Sequence, residues 1–408
     1  MNILFVTQWF QPEPMFKGLP LAKALKLKGH KVEVLTGFPN YPHGKLYPGY
    51  KIKLVKEEII DGIKVIRTAL YPSHDLSKIK RVVNYLSWSL SASILGSINV
   101  TRPDVIYVYH PPITAIIPAV CIKLVYNSQV ILDIEDFWPD TLQATDMINN
   151  NHIIKLIGNI CRFFYRMADK IIVLSPGFKK KLVELGLNSK KIEIIYNWCD
   201  EDSILSKDKY NKSAIPWDLK KFTVLYAGNL GRAQALDAVL YAAKMIRDKC
   251  LNIQFVFVGA GVEADRLKKK AEKMNLDNVM FIPYKPASEI KRYMLAADAL
   301  LVHLKDDPLF SITIPSKIQT YLAVGRPIIA GVRGDAAGLI KESGAGVIVP
   351  PENPEELAKG IIKIANLRLE DRERIGKNGS VYYENNLSFD IAVNKFERVF
   401  VSAVQDKS

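Results

Sequence analysis

A strand, a glycine-containing loop, a helix and a second strand follow one another at the start of each half of this 408-residue chain. In the first half we predict strands at Ile3–Thr7 and Lys31–Thr36, with a helix from about Leu19 to Lys28 between them. The matching elements of the second half are the strands Phe222–Ala227 and Ile253–Val258 and a helix from about Ala235 to Lys249. Such units build parallel, doubly wound sheets. One ordinary core does not accommodate this length, so we predict an α/β fold of two Rossmann-like domains facing each other across a cleft.

Further apolar segments occupy positions where this alternation predicts strands. They are residues 65–69, 105–109, 130–134, 170–174 and 192–195 in the first half, and 279–282, 299–303, 327–330 and 346–349 in the second. The polar segment 197–212 is typical of a linker. We therefore assign residues 1–198 to the first domain, 199–385 to the second, and 386–408 to a C-terminal helix that packs back toward the first.

The chain is basic, with a net charge of +14, and the excess is concentrated in the first half. Residues 1–200 carry 25 of the 56 Lys and Arg residues but only 16 of the 42 Asp and Glu residues. No zinc finger, helix-turn-helix or RNA-binding motif accompanies the charge, so we expect no nucleic-acid partner. Solvated faces and a membrane surface both remain open. The segment Arg81–Leu90 favours a membrane, because aromatic side chains near basic residues suit the lipid headgroup level.

The sequence contains no uncharged apolar run of the ~20 residues that span a bilayer, and its first residues do not form a signal peptide. The nearest case is Ile113–Val125, in which Pro118 and Lys123 indicate a buried helix instead. The four cysteines lie far apart without a CxxC pair. This spacing argues for a reducing compartment, such as the cytoplasm, and against a structural zinc site.

The segment Thr313–Ala330 is the strongest indication of a ligand. It predicts a loop, a short helix with Ser316 as its N-cap and Gly325 as its end, and a buried strand. The first turn of such a helix leaves backbone N–H groups free beside the Lys317 ammonium. Free amides, the helix dipole and a lysine together suit a diphosphate. From this segment alone, an ordinary capped helix is an equally good interpretation.

Neither glycine loop of the second half, Gly228–Gly231 or Gly259–Gly261, fits the GxGxxG fingerprint of nicotinamide cofactors. We therefore expect no NAD and no other cofactor. A nucleoside diphosphate fits better, with its base against a loop such as Pro283–Lys285.

Three acidic segments could bind a metal or a substrate. Asp200–Asp202 matches the DxD motif of some sugar transferases, but its place in the predicted linker favours a solvated turn. Asp306 and Asp307 are better explained as the start of a loop, so we expect no metal ion. Glu135 and Asp136 directly follow a predicted strand, where they could hydrogen-bond substrate hydroxyls or, in the case of Asp136, cap a helix.

His110 also ends a predicted strand. A hydrogen-bonding or basic role toward a ligand and a packed, satisfied side chain both remain open for it.

Seven segments resemble family 4 retaining glycosyltransferases of the GT-B fold, and within them the WbuB/WcaI-like branch that builds O-antigen and capsule sugars. In order along nearly the whole chain, they are Gln8–Pro14, Gly29–Gly37, Phe38–Gly44, Asp133–Asp140, Asn197–Asp200, Tyr226–Gly231 and Thr313–Lys317. The resemblance implies a nucleotide-sugar donor held by the second domain and an acceptor held by the first. It also implies transfer with retention at the anomeric carbon, usually without a metal.

Carried over by position, the resemblance implies roles for individual residues. Arg232 and Lys317 would act as catalytic cations on the diphosphate, and His110 is a further catalytic candidate. The implied donor-binding residues are Gly18, Gly228, Asn229, Gly261, Tyr284, Phe310, Thr313, Ile314, Pro315 and Ser316. The implied acceptor-binding residues are Lys17, Tyr41, Glu135 and Asp136.

The chain also departs from the family. Many members carry a Glu-x7-Glu pair whose positions fall near Ile312 and Thr320, and neither residue is acidic here. Many also have an Arg and a Lys near the positions of Asn229 and Gln234. We therefore do not expect the usual carboxylate contact to the donor-sugar and ribose hydroxyls.

The resemblance implies an enzyme that moves a sugar, for example an N-acetylated deoxyhexose such as N-acetylfucosamine, from a UDP-sugar donor. Its acceptor would be a polyprenyl-diphosphate-linked saccharide in bacterial surface polysaccharide (O-antigen or capsule) biosynthesis. Such a protein would be cytoplasmic and peripheral on the inner face of the cytoplasmic membrane. Two alternatives remain open: a UDP-sugar 2-epimerase of the same architecture, and a non-catalytic nucleotide-sugar-binding protein.

Overall fold

A computed structural model describes residues 1–73, 78–141, 150–206, 215–249 and 251–407. The chain divides into two units. Unit 1 comprises Met1–Leu174, Phe178–Ile195 and Val393–Ser408, and unit 2 comprises Ser175–Gly177 and Tyr196–Ala392. The chain thus passes to unit 2 after Ile195, three residues before the boundary expected from the sequence.

Unit 1 is built on an eight-stranded sheet in the order β3-β4-β2-β1-β5-β6-β7-β8. Its strands are β1 (Asn2–Val6), β2 (Lys31–Gly37), β3 (Val55–Ile60), β4 (Ile63–Thr68), β5 (Val105–His110), β6 (Gln129–Ile134), β7 (Lys170–Val173) and β8 (Ile192–Ile194). All pairs are parallel except β3–β4. The sequence pattern did not predict β3. It forms a hairpin with β4 through Asp61 and Gly62, both with positive φ, as a tight two-residue hairpin turn requires.

Unit 2 is built on a six-stranded parallel sheet in the order β11-β10-β9-β12-β13-β14. Its strands are β9 (Phe222–Ala227), β10 (Ile253–Val258), β11 (Val279–Ile282), β12 (Ala299–His303), β13 (Ile328–Gly331) and β14 (Gly346–Val349). Each agrees with its predicted range to within one residue. The strand order reverses between β9 and β12, and ligands of doubly wound sheets bind at the carboxyl ends of the strands at such a switch point.

Helices cover both sheets. Those in the described residues are α1 (Leu19–Leu27), α2 (Lys78–Ser91), α3 (Ser97–Asn99), α4 (Ile116–Tyr126), α5 (Asn151–Met167), α6 (Pro176–Glu184), α7 (Glu201–Ile204), α8 (Asp237–Asp248), α9 (Ala264–Lys273), α10 (Ala287–Ala296), α11 (Pro308–Ser311), α12 (Ser316–Val324), α13 (Gly334–Ser343), α14 (Pro354–Ala365), α15 (Leu369–Asn386) and α16 (Phe389–Gln405). A π-helical segment, Ala92–Gly96, joins α2 to α3. The predicted buried helix is present as α4, but its end is not buried, because Leu124 and Val125 are exposed.

The direction of each crossover decides which face of the unit 1 sheet a helix covers. The connection from β1 to β2 moves one way across the sheet, whereas those from β4 to β5, β5 to β6 and β6 to β7 move the other way. Because such crossovers are right-handed, α1 lies on one face and α2–α5 lie on the opposite face. The end of α16 belongs to the α1 face, since Glu397 pairs with Lys28 at 2.8 Å and lies 3.0 Å from His30 Nε2.

The segment predicted as a polar linker is packed into unit 2 over its described part, residues 197–206. Trp198, Cys199 and Ile204 are buried, and the Tyr383 hydroxyl donates to Glu201 Oε1 at 2.6 Å. Asp200 is the N-cap of α7 and accepts from Ser203 N. The linker prediction is therefore wrong for these residues, because their polar side chains satisfy local hydrogen bonds; residues 207–212 lie outside the described part of the chain.

Candidate active site

A pocket of about 540 Å³ lies in unit 2 at the carboxyl ends of β9 and β12. Its volume is within the range of ordinary small-ligand sites. Eight of the thirteen residues predicted as catalytic or donor-binding line it: Gly228, Asn229, Tyr284, Phe310, Thr313, Pro315, Ser316 and Lys317. These come from four separate chain segments, and the switch point of the sheet brings them together.

The floor of the pocket requires glycine. Gly228 and Gly259 follow β9 and β10 directly and have φ values of 135° and 158°. A Cβ on Gly259 would lie 1.9 Å from the carbonyl oxygen of Gly228. The two loops therefore approach each other in a way that only glycine permits, and both glycines line the pocket.

Helix α12 begins at the pocket, one residue away from the expected position. The N-cap is Pro315, with φ −61° and ψ 134°, and Ser316 is the first helical residue. The assignment of Ser316 as N-cap is wrong, because the proline takes the extended conformation of that position; no side-chain cap hydrogen bond forms. The first-turn amides of Ser316 and Lys317 therefore have no intrahelical acceptor, and this positive end of the helix favours an anion.

The side chain of Lys317 is held in place by the aromatic side chain of Tyr226. Its Nζ donates to the Tyr226 hydroxyl at 2.6 Å and lies 3.8 Å from the centre of the Tyr226 ring. The Tyr226 hydroxyl in turn donates to the carbonyl oxygen of Asn229 at 2.6 Å. Burial lowers the pKa of Lys317 to about 7, because no opposite charge compensates the desolvation of the ammonium.

The described lining of the pocket contains no acidic residue. Thr320, near a position where many family members have an acid, does line the pocket, whereas Ile312 does not. With Lys285 and Lys317 in the lining and no carboxylate among its described residues, the pocket is suited to a ligand that carries negative charge.

His303 supports the pocket from behind, a role that the sequence did not reveal. Its Nδ1 lies 2.7 Å from the carbonyl oxygen of Gln234, and its Nε2 accepts from Glu352 N at 3.1 Å. These two bonds require the neutral ring with its proton on Nδ1, and burial correspondingly lowers the pKa of His303. Tyr321 was missed as well; its hydroxyl accepts from Ala227 N at 2.9 Å and so ties α12 to the end of β9.

Three predicted residues of unit 2 lie outside the pocket lining. Arg232 stands in the short 3-10 turn Arg232–Gln234; its side chain is 78% exposed, with Nε 3.7 Å from Glu263 Oε1. Gly261 packs against the β9 loop, where a Cβ would lie 2.4 Å from the carbonyl oxygen of Leu230. Ile314 is also absent from the lining.

The acidic pair 306–307 precedes a short helix, where the sequence had favoured the start of a loop. Asp307 is the N-cap of α11 and accepts from Leu309 N at 2.9 Å. Asp306 pairs with Arg333 at 3.2 Å. No group of His, Cys, Asp and Glu suited to a metal ion occurs among the described residues.

In unit 1, Lys17 does not serve as a free contact for an acceptor. Its side chain is completely buried, with Nζ 2.8 Å from Asp133 Oδ2 and 2.5 Å from Glu135 Oε1. Tyr107 also donates to Asp133 Oδ2, at 2.6 Å. Burial alone would lower the pKa of Lys17, but the two carboxylates outweigh it and raise the pKa above its ordinary value. Lys17 is therefore the counter-charge of a buried acid rather than an acceptor ligand.

Asp136 and His110 keep properties expected of ligand-binding groups. Burial and the neighbouring Glu135 charge raise the pKa of Asp136 to about 6, and no described hydrogen bond to a helix amide supports the capping alternative. His110 is completely buried, and neither ring nitrogen has a described partner. Its ring lies 5.6 Å from that of Trp138, and burial lowers its pKa to about 3. The His110 ring is thus packed in the interior, but its two nitrogen atoms have no described hydrogen-bond partner.

The two remaining candidates in unit 1 have identifiable packing roles. Tyr41 stacks on Trp9 with ring centroids 4.6 Å apart. Gly18 is the N-cap of α1, where a Cβ would lie 2.9 Å from Gln11 Oε1.

Comparisons with known proteins agree with this architecture. The model of Glycosyltransferase Family 4 matches residues 19–203, and that of Glycosyl transferases group 1 matches residues 208–381. The chain is 26% identical over 356 residues to the glycosyl transferase WcaI of Escherichia coli K12, whose description assigns it to colanic acid biosynthesis, with 83% of this chain and 84% of that protein covered. It is 25% identical over 272 residues to the glycosyltransferase WbjE of Pseudomonas aeruginosa, with 65% and 66% covered.

Among solved structures, Anabaena Alr3699/HepE in complex with UDP-glucose superposes with a TM-score of 0.68 at 15% identity, covering 98% of this chain and all of that one. Two parallel-sheet α/β units of this kind define the GT-B fold class. The chain belongs to the family 4 glycosyltransferases with this fold, as the motifs predicted.

Proposed function

We propose that this glycosyltransferase moves a sugar, with retention, from a UDP-sugar to a polyprenyl-diphosphate-linked saccharide in bacterial surface polysaccharide biosynthesis. The observation that carries the donor assignment is Lys317. It is a half-buried lysine without a described carboxylate partner, and it lies beside free helix amides in a pocket whose described lining has no acid. The HepE structure contains UDP-glucose, and the WcaI description names colanic acid; both favour this substrate class.

The chemistry follows from where negative charge develops. As the glycosidic bond to the diphosphate breaks, Lys317 Nζ and the amides of Ser316 and Lys317 stabilise the leaving group. The proton of the acceptor hydroxyl passes to the departing phosphate oxygen. Lys317 and the two amides supply the charge stabilisation that a metal ion provides in other transferases. The buried Tyr226 hydroxyl orients the ammonium, which reduces the reorganisation needed when the charge forms.

The lining also favours one class of donor sugar. No carboxylate of the described lining is available to pair with sugar hydroxyls, and Phe310, Leu304 and Met294 contribute apolar surface. A sugar with fewer hydroxyls fits such a lining, for example an N-acetylated deoxyhexose such as N-acetylfucosamine. Because the acceptor is lipid-linked, the enzyme would work as a peripheral protein on the inner face of the cytoplasmic membrane.

The test is incubation with a panel of UDP-N-acetylhexosamines and their 6-deoxy forms, with and without lipid-linked acceptor. UDP release that requires acceptor, with the product identified by mass spectrometry, would support the proposal. Isomerised nucleotide sugar without acceptor would indicate a UDP-sugar 2-epimerase instead. Binding without either reaction would indicate a nucleotide-sugar-binding protein.

A variant of the proposed site adds a second test. Lys317→Met should lower turnover by roughly 10²–10³, by analogy with the loss of one oxyanion donor. Lys305→Met is a suitable control, because Lys305 is an exposed lysine in the same unit and does not line the pocket. Equal activity of the two variants would refute the diphosphate site.

A further inference from the structure

The outer side of the helices on one face of the unit 1 sheet is apolar. Helix α2, the π-helical segment and α3 form a continuous helical stretch. Its inner side buries Asn84, Trp88 and Ala92. The residues on its outer side recur at helical spacing and are 51% to 77% exposed: Ile79, Val82, Leu86, Leu90, Ile94 and Ile98. A surface helix of a globular protein normally carries polar side chains there.

This outer side differs from the sequence-based expectation. The aromatic side chains of the segment were expected at a lipid headgroup level, but Trp88 is completely buried and Tyr85 packs against Trp9. The exposed residues are aliphatic instead. Helical periodicity places Trp88 on the sheet side, and only the packed structure shows which side that is.

The neighbouring helices continue the apolar surface. Leu124 and Val125 of α4 are exposed, as are Ile153, Leu156, Ile160 and Phe163 of α5. Ser89 Oγ donates to Thr114 O at 3.0 Å, and the Tyr126 hydroxyl donates to Ser97 O at 3.1 Å. The first stretch and α4 therefore pack side by side. The right-handed crossover from β6 to β7 places α5 on the same face.

The opposite face of the unit 1 sheet provides an internal comparison. Among the described residues of α1 and of α16, the only exposed large apolar side chains are Leu27 and Val401. Among the helices compared, those of the α2–α5 face therefore carry most of the exposed apolar side chains, and a large patch of this kind marks an interaction site.

Charge indicates the partner. Residues 78–99, 113–126 and 151–167 contain seven Lys and Arg residues and no Asp or Glu. Lys80, Lys155 and Arg166 are exposed. A second copy of the chain docking through this face would bring positive charge against positive charge. A lipid surface with anionic headgroups supplies both the apolar phase and the opposite charge.

We propose that the α2–α5 face of unit 1 docks on an anionic lipid bilayer, with its aliphatic side chains at the boundary of headgroups and acyl chains. This deepens the proposed function, on which it rests for its purpose, because a polyprenyl-linked acceptor is embedded in such a surface. Helices lying in the interface plane provide the attachment; none of the described helices is long and apolar enough to cross the bilayer.

The test is flotation of the full chain with vesicles of phosphatidylcholine alone and of phosphatidylcholine mixed with phosphatidylglycerol. We expect binding that requires the anionic lipid and weakens with salt. Leu90→Glu should lower the vesicle partition coefficient at least about tenfold, because it removes one apolar side chain from the interface and adds a repelled charge. Leu27→Glu is the matched control on the α1 face and should bind like the wild type.

The docking face would be refuted if the wild type did not bind anionic vesicles, or if Leu90→Glu and Leu27→Glu lost vesicle binding equally. It would also be refuted if the wild type self-associated without lipid and Leu90→Glu abolished that self-association. Unchanged thermal unfolding of both variants separates docking from folding; both positions are exposed, so we expect none of the binding loss to arise from unfolding. Binding of the panel of UDP-N-acetylhexosamines and their 6-deoxy forms is measured in parallel, because the proposed donor pocket lies in unit 2. Vesicle binding without binding of any of these UDP-sugars would refute the proposed function alone, and the reverse pattern would refute the docking face alone.

Discussion

The affinity of the unit 2 pocket for a UDP-sugar should fall as the pH rises through the pKa of Lys317. In the free protein, burial lowers this pKa to about 7. A bound diphosphate favours the charged ammonium and raises the pKa again. Binding therefore takes up a proton wherever free Lys317 is neutral, and the sign of the effect is a loss of affinity with increasing pH.

The magnitude follows from the protonated fraction of the free protein. For a pKa of about 7, this fraction falls from about 0.9 at about pH 6 to about 0.03 at about pH 8.5. The affinity should fall by the same factor of about 30, or ~2 kcal/mol. Proton uptake should rise over the same range from about 0.1 to nearly one per ligand bound.

Isothermal titration calorimetry with UDP-glucose provides the assay. Titrations at one pH in two buffers with different ionisation enthalpies give the number of protons taken up. UDP-glucose is preferable to UDP, because a terminal phosphate titrates near about pH 6 and would add an opposing dependence. Lys317→Met provides the control and should bind weakly with no uptake linked to this group.

Constant wild-type affinity across this pH range without proton uptake would refute the linkage between Lys317 and the diphosphate. Such a result would mean that Lys317 either keeps its charge in the free pocket or does not meet the diphosphate.

Three further predictions concern the framework around the sites. Lys317→Met should raise the unfolding temperature of the ligand-free protein at neutral pH, because folding no longer buries an uncompensated ammonium; a lower temperature in calorimetry would contradict this. Gly259→Ala should destabilise the protein by more than ~1 kcal/mol, because its Cβ would lie 1.9 Å from Gly228 O. A Cβ at Gly338 in α13 would meet nothing within 4 Å, so Gly338→Ala should stabilise the protein by roughly 0.5–1 kcal/mol. Chemical denaturation measures both changes. Lys17→Met leaves the buried Asp133 without a counter-charge and should cost about 3–5 kcal/mol. Lys23→Met breaks only the exposed pair with Asp61 and should change stability by at most about 1 kcal/mol. Similar losses in the two variants would show that burial of the ion pair does not determine its contribution.

Local sequence patterns predicted most of the architecture. Alternating strands and helices produced every strand of unit 2 to within one residue, because buried parallel strands are continuous apolar runs bounded by turn residues. The same patterns missed β3, whose side chains are exposed or half-buried and carry little apolar signal. Four residues of the predicted diphosphate segment, Thr313, Pro315, Ser316 and Lys317, line the pocket, since their signal is contained within a few consecutive residues. Gly228, which the family resemblance implied, lines it as well.

What the sequence by itself determined was the order of elements, the family motifs and the segments that could meet a diphosphate. Only the tertiary structure decided which side chains are partners across long separations. Lys317 meets Tyr226 across 91 positions, and Lys17 meets Asp133 across 116. The first pairing holds Lys317 at the unit 2 pocket, and the second buries Lys17 in an ion pair, away from an acceptor. Such pairings depend on the order of the strands in the sheet and on which face of each element is buried. Helical or strand periodicity shows which residues share a face, but it does not show which other element packs against that face.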